Sequence, residues 1–181
     1  YDEPFFRKSV IETIKALGLK RFAIGGDSIG ATIALTVAAE LPDQVTHVYA
    51  LNPYDYGQSF GGGIRRGRYG FIIGLFALFR QWTLEAPLAL KLVLRGGFAR
   101  PGLLPMGFFR EVVRTGNRKG YRLAEYKLYK NWRKWLDAKK FYAGIKAPVT
   151  LVYGEYDWSK PEEREQEKRQ LKPARFEIIP G

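Results

Sequence analysis

Apolar positions recur along this chain in two rhythms that alternate. Phe6, Val10, Ile11, Ile14 and Leu17 stand three or four apart, which predicts a helix over 3–17 that Gly18 closes. A short apolar run predicts a strand over 20–26. The small and apolar residues of 29–40 predict a helix that Leu41-Pro42 ends, and 44–51 reads as a second strand. Such a strand–helix–strand order implies parallel strands joined by a right-handed crossover. A loop signal follows, with Asn52-Pro53, Tyr54-Asp55-Tyr56-Gly57 and then Gly61-Gly62-Gly63.

Beyond that loop the pattern becomes helical, aromatic and basic. Helices are predicted over 69–82, 85–94, 106–115 and 121–140, with breaks at Gly96-Gly97 and Pro101-Gly102. The first rhythm then returns: a strand over 149–153, a helix to Leu171 and a strand over 175–179. Ser159, Pro161 and Glu162 read as the capped start of that helix. The expected fold class is therefore α/β, a parallel sheet interrupted by a helical insertion, with segments at 1–56, 57–147 and 148–181.

Composition narrows this reading. An apolar fraction of 46% with 15% aromatic residues belongs to a chain that folds around a core. The absence of Cys excludes a disulfide scaffold and any Cys-ligated metal. The net charge of +12 is concentrated: residues 57–147 hold 19 Lys and Arg against 4 Asp and Glu, and the rest of the chain is slightly acidic. The longest uncharged apolar run, 69–79, is too short to span a bilayer. On helix 121–140, Tyr126, Tyr129, Trp132, Trp135 and Leu136 recur at three and four with Lys and Arg between them. That pattern fits aromatics packed inward beneath solvated cations. It fits equally a surface that meets anionic lipid or an anionic substrate. No nucleic-acid module accompanies the basic segment, so nucleic acid is not expected as a partner.

The candidate chemistry lies where the first strand meets its helix, at Gly26-Asp27-Ser28-Ile29-Gly30. A serine on so sharp a turn stands clear of the sheet, and small residues two before and two after avoid clashes with the crossing backbone. The start of a helix also favours negative charge developing beside Ser28. The strand after the insertion runs into Gly154-Glu155-Tyr156-Asp157, which places a carboxylate on a loop between strand and helix. His47 is the one histidine. Within the second strand it reads as a strand residue with a local hydrogen bond rather than as a base.

Gly26 to Gly30 and Gly154 to Asp157 together resemble the α/β-hydrolase family. The resemblance implies a partial α/β-hydrolase core with an inserted helical cap or lid. It makes Ser28 the nucleophile, the Ile29 N–H an oxyanion-hole donor, Gly26 and Gly30 the elbow glycines, and Asp157 the acid. Glu155 fits the acid position less well. The resemblance also expects a catalytic His soon after the last strand and an oxyanion loop upstream of the first helix, so the chain is expected to be a fragment, inactive by itself. Asp27 departs from the His often found beside the nucleophile. The implied activity is hydrolysis of an ester or related acyl bond through an acyl-enzyme. Carbon–carbon hydrolysis and acyl transfer use the same residues, and a non-catalytic ligand-binding protein is the alternative of a different class.

Phe71, Leu75, Phe76, Phe79 and Trp82 suggest a hydrophobic small-molecule substrate. No cofactor or metal is expected. The expected location is cytoplasmic, peripheral to an anionic membrane if the basic cap meets one.

Overall fold

A computed structural model describes residues 1–55, 87–98, 100–171 and 174–180. They fall into two compact units. One comprises residues 1–58, 131–155 and 161–180; the other comprises 59–130, 156–160 and 181.

The first unit is built on a sheet of four parallel strands in the order β1 (Phe22–Asp27), β2 (Val45–Leu51), β3 (Val149–Gly154), β4 (Ala174–Ile179). Around it lie α1 (Glu3–Ala16) and α2 (Ile29–Glu40). The Asp2 carboxylate caps α1 by accepting the Phe5 N–H at 3.1 Å, and Pro4 sits in the first turn, where an N–H would be unpaired anyway. The helix between β1 and β2 is apolar or small on almost every side. Ala31, Ala34, Leu35 and Ala38 pack with Val48, Ala50, Leu151 and Tyr153, while Val37 joins Ile11 and Ile14 of α1.

Sequence and structure agree on most boundaries, and α2 matches its expected span from end to end. In the second unit α3 (Pro87–Gly96) and α4 (Met106–Gly116) stand where helices were expected. The expected helix 69–82, with Phe71, Leu75, Phe76, Phe79 and Trp82, lies outside the described residues.

The expected helix 121–140 requires correction. It divides into α5 (Tyr121–Lys130), α6 (Trp132–Leu136) and a tighter 3-10 stretch, Asp137–Gly144. Asn131 marks the break. Its carbonyl accepts the Lys134 N–H at 2.9 Å, and its side-chain amide donates to the Tyr1 carbonyl at 3.1 Å. Asparagine favours such local bonding over a helix interior. The sheet unit takes up the chain again at Asn131. Trp135, Ala138 and Tyr142 are buried in the sheet unit, and the Trp135 ring lies 6.0 Å from Phe6 of α1. Trp135 is thus a core residue, not an interfacial one. The side chains of Tyr126, Tyr129 and Trp132 lie outside those described. The last helix, α7 (Pro161–Gln170), packs on the sheet, where the Tyr153 hydroxyl bonds to the buried Glu167 carboxylate.

Candidate active site

Ser28 follows the last residue of β1 and precedes the first of α2, and it takes φ 55° and ψ −119°. That conformation is costly for any residue with a Cβ and persists only when neighbours hold it. Here the neighbours are backbone groups. The Ser28 N–H donates to the Leu51 carbonyl at 2.9 Å, and the Ser28 carbonyl accepts the N–H groups of Ala31 (3.1 Å), Thr32 (3.3 Å) and Tyr54 (3.1 Å). The serine's main chain is therefore fixed to α2 and to the end of β2, while its side chain makes no capping bond to the helix.

Gly26 and Gly30 are not equivalent. A Cβ on Gly26 would run into the Gly30 carbonyl group and come within 2.7 Å of the Ala31 nitrogen, so only glycine fits. A Cβ on Gly30 would meet nothing within 4 Å. The expectation that both glycines avoid a clash holds for Gly26 and is corrected for Gly30, whose backbone is the thing approached. Ile29 begins α2, and its N–H has no hydrogen-bond partner among the described residues. A first-turn N–H beside the positive end of the helix dipole is equipped to receive an oxyanion.

Two residues near Ser28 matter that the sequence signalled only as loop. Asn52, at φ 43°, joins three strand ends. Its N–H donates to Val152 O at 2.8 Å, its amide nitrogen to Asp27 Oδ1 at 3.3 Å, and its Oδ1 accepts the Gly154 N–H at 3.1 Å. Asn tolerates positive φ, and Asn-Pro after a strand was the signal available. Asp55 is 2% exposed. It accepts the Tyr142 hydroxyl at 2.9 Å and lies 3.8 Å from Lys139 Nζ. Burial pushes its carboxyl up to about 6, against the pull of Lys139 and the Tyr142 hydrogen bond. Burial and the adjacent Asp55 charge likewise push the Tyr142 hydroxyl well above its ordinary value.

Asp157 lies three residues beyond β3, in the second unit. Its Oδ1 accepts the Ser159 N–H at 2.8 Å and also the Ser159 hydroxyl, an Asx turn that fixes the carboxylate on its loop. Glu155, two positions earlier, is exposed, and its N–H donates to the Ile179 carbonyl at 2.8 Å. His47 pairs with Thr150 Oγ1 at 2.9 Å and stacks on Tyr49 with ring centroids 4.4 Å apart. It stands four residues before Leu51, roughly 13 Å back along β2 from the carbonyl that Ser28 uses. Among the described residues no group of three or more His, Asp and Glu is placed to hold a metal.

Comparison with known proteins bears on the fold. The family model described as "alpha/beta hydrolase fold" matches residues 2–181. Among solved structures, a variant of the meta-cleavage product hydrolase CumD, an enzyme of Pseudomonas fluorescens IP01, superposes with a TM-score of 0.78 at 13% identity. That match covers 99% of this chain and 64% of that one. The 2-hydroxy-6-oxo-6-phenylhexa-2,4-dienoate hydrolase of Rhodococcus sp. strain RHA1 gives 0.74 at 13% identity, covering 96% and 61%. A bacterial membrane phospholipase A gives 0.68 at 19% identity, covering 99% and 56%. The chain thus spans less than two thirds of the length of these structures. No curated protein sequence matches it.

Proposed function

The chain belongs to the α/β-hydrolase family, and on that premise we propose that it is a serine hydrolase cleaving an ester or related acyl bond of a hydrophobic small molecule. The observation that carries the reading is the backbone of Ser28, held at positive φ on a strand-to-helix turn whose Gly26 admits no side chain. Nothing about sheet stability calls for a serine there, whereas a nucleophile gains exposure and a helix N-terminus from it.

In the proposed reaction Ser28 Oγ attacks the substrate carbonyl carbon while its proton passes to a histidine. The oxyanion is stabilised by the Ile29 N–H. Expulsion of the alcohol, which takes up that proton, leaves an acyl-enzyme, and water then releases the acid and regenerates Ser28. Asp157 orients the histidine. His47 is already paired with Thr150 on β3, so the reading takes its base from the family's order, a histidine following β4.

Labelling with a fluorophosphonate tests the assignment in protein carrying that histidine. Ser28→Ala should abolish labelling and lower kcat by about 10³- to 10⁶-fold. Labelling that persists on another serine would overturn it. A second reading, carbon–carbon hydrolysis with the same residues, draws on the similarity to the CumD and Rhodococcus enzymes. Assaying nitrophenyl esters beside 2-hydroxy-6-oxo-6-phenylhexa-2,4-dienoate separates the two.

A further inference from the structure

The second unit carries an exposed apolar knob in a basic setting. Between the 3-10 turn Pro101–Leu103 and the first turn of α4, Leu103, Pro105, Met106, Gly107 and Phe108 are all exposed; Leu103 is 57%, Met106 42% and Phe108 50% accessible. Leu104 between them is buried and anchors the segment. The backbone is ordered on both sides, with the Leu103 N–H on the Arg100 carbonyl at 2.9 Å and the Phe109 N–H on the Pro105 carbonyl at 3.0 Å. Four consecutive exposed residues without a polar side chain, 105–108, cost solubility and contribute nothing to the core, so they point to a contact elsewhere.

The surrounding charge selects the contact. Residues 100–119 hold Arg100, Arg110, Arg114, Arg118 and Lys119 against the single acid Glu111, and Arg114 takes Glu111 in an ion pair. On α4 the polar arc of Arg110, Glu111 and Arg114 faces away from Phe109, Val112 and Val113, leaving Met106 and Phe108 at the two edges of the apolar arc. Nucleic acid would use the arginines but gain nothing from Leu103, Met106 and Phe108. A two-fold contact with a second copy would bring the same positive charges together. Among the described residues no helix is long and apolar enough to cross a membrane.

We propose that residues 103–108, with Arg100, Arg110, Arg114, Arg118 and Lys119 around them, form a docking surface for an anionic lipid bilayer. Leu103, Met106 and Phe108 enter the interfacial region while the cations meet the headgroups, the arrangement of interfacially bound helices.

The absence of Cys permits a direct test. Met106→Cys and, as a control on α1, the exposed Lys8→Cys each carry one environment-sensitive dye. Vesicles are phosphatidylcholine alone, or equal parts phosphatidylcholine and phosphatidylglycerol. The expected result is a blue shift at the Met106 position only, with binding to the anionic vesicles at least about tenfold tighter and weakening steeply with salt. Arg110→Gln with Arg118→Gln should lower affinity by about thirtyfold. Phe108→Ser should reduce binding without altering the melting temperature, because Phe108 is exposed. Three results would overturn the proposal: no binding to anionic vesicles at low salt, binding with no shift at the Met106 position, or a shift that rises with protein concentration in the absence of vesicles, which would assign the knob to a second copy.

Discussion

The two units of this chain differ in how much apolar side chain their described residues bury. In the sheet unit the residues around Ser28 are fixed by main-chain bonds and by Asn52, and the apolar residues of α2 are buried. In the second unit Leu104 is the one described apolar side chain that is buried, and α4 buries none. The first unit can hold Ser28 at positive φ because its backbone partners leave it no alternative. Among its described residues the second leaves Leu103, Met106 and Phe108 in solvent. The excess positive charge is likewise confined to the insertion, the rest of the chain being slightly acidic.

The largest expected effect marks where this separation ends. Asp157 lies in the second unit, so a sheet unit holding all the chemistry would be indifferent to it. We expect Asp157→Asn to lower kcat by about 10⁴-fold with the fold intact, since the amide oxygen still accepts from Ser159. Glu155→Gln should be mild. Steady-state kinetics and thermal melts of the two variants, in protein carrying the histidine, decide it, and the reverse ranking would move the acid to Glu155.

Next comes the claim of precision itself. Gly26→Ala forces a methyl into the Gly30 backbone and should cost about 3 kcal/mol or prevent folding. Gly30→Ala meets open space and replaces a glycine in the first turn of α2, so it should cost nothing and could stabilise by up to about 1 kcal/mol. Equal effects in chemical denaturation would show that the elbow is looser than its geometry.

A third prediction concerns Asp55. Its folded carboxyl titrates near 6 and an unfolded aspartate near 3.8. Between these values the unfolded chain has lost a proton that the folded chain keeps, so stability is fully present below about 3.8 and is lost as pH rises through about 6. The displacement corresponds to on the order of 3 kcal/mol. Asp55→Asn keeps an acceptor for the Tyr142 hydroxyl and should flatten this dependence, with its gain seen at pH 7 to 8. Urea titrations of both proteins at pH 4 and pH 7.5 provide the check; parallel pH profiles would mean that Asp55 is not what titrates.

The smallest effect sharpens the other side. Leu103→Ser or Met106→Ser should change stability by less than about 0.5 kcal/mol, since neither side chain is buried. A larger loss would mean that the knob belongs to a core after all.

Why some of this was legible in advance and some was not has a physical explanation. Elements written locally, whether by periodicity as in α1 or by runs of apolar and small residues as in α2 and the strands, are readable, and so is the elbow, whose spacing reflects a local steric demand. Asn52 looks like a turn residue in the sequence because its work is non-local: its partners Asp27 and Gly154 are 25 and 102 positions away. Asp55 sat in a polar, glycine-rich stretch and gave no sign of burial, which Tyr142 and Lys139 create from the far side of the insertion. The break at Asn131 was hidden because aromatic spacing continues across it. The motif records two glycines, and only contact geometry shows that Gly26 rather than Gly30 is obligatory.

The bonds of Asn52 also bear on how such a chain can change over time. Val48 to Leu51 pair with Val149 to Val152, so about a hundred residues leave and return between neighbouring strands, and Asn52 fastens the neck. Closing a loop of that size costs chain entropy, but the cost grows only logarithmically, about 0.6 kcal/mol for each doubling of length. Once the neck is secured, the part of the insertion outside the sheet unit, residues 59–130, can lengthen, shorten or be exchanged at little thermodynamic expense to the sheet. Asn52 thereby makes the strand pair a mounting point, on which new surfaces can be tried while the serine stays where it is.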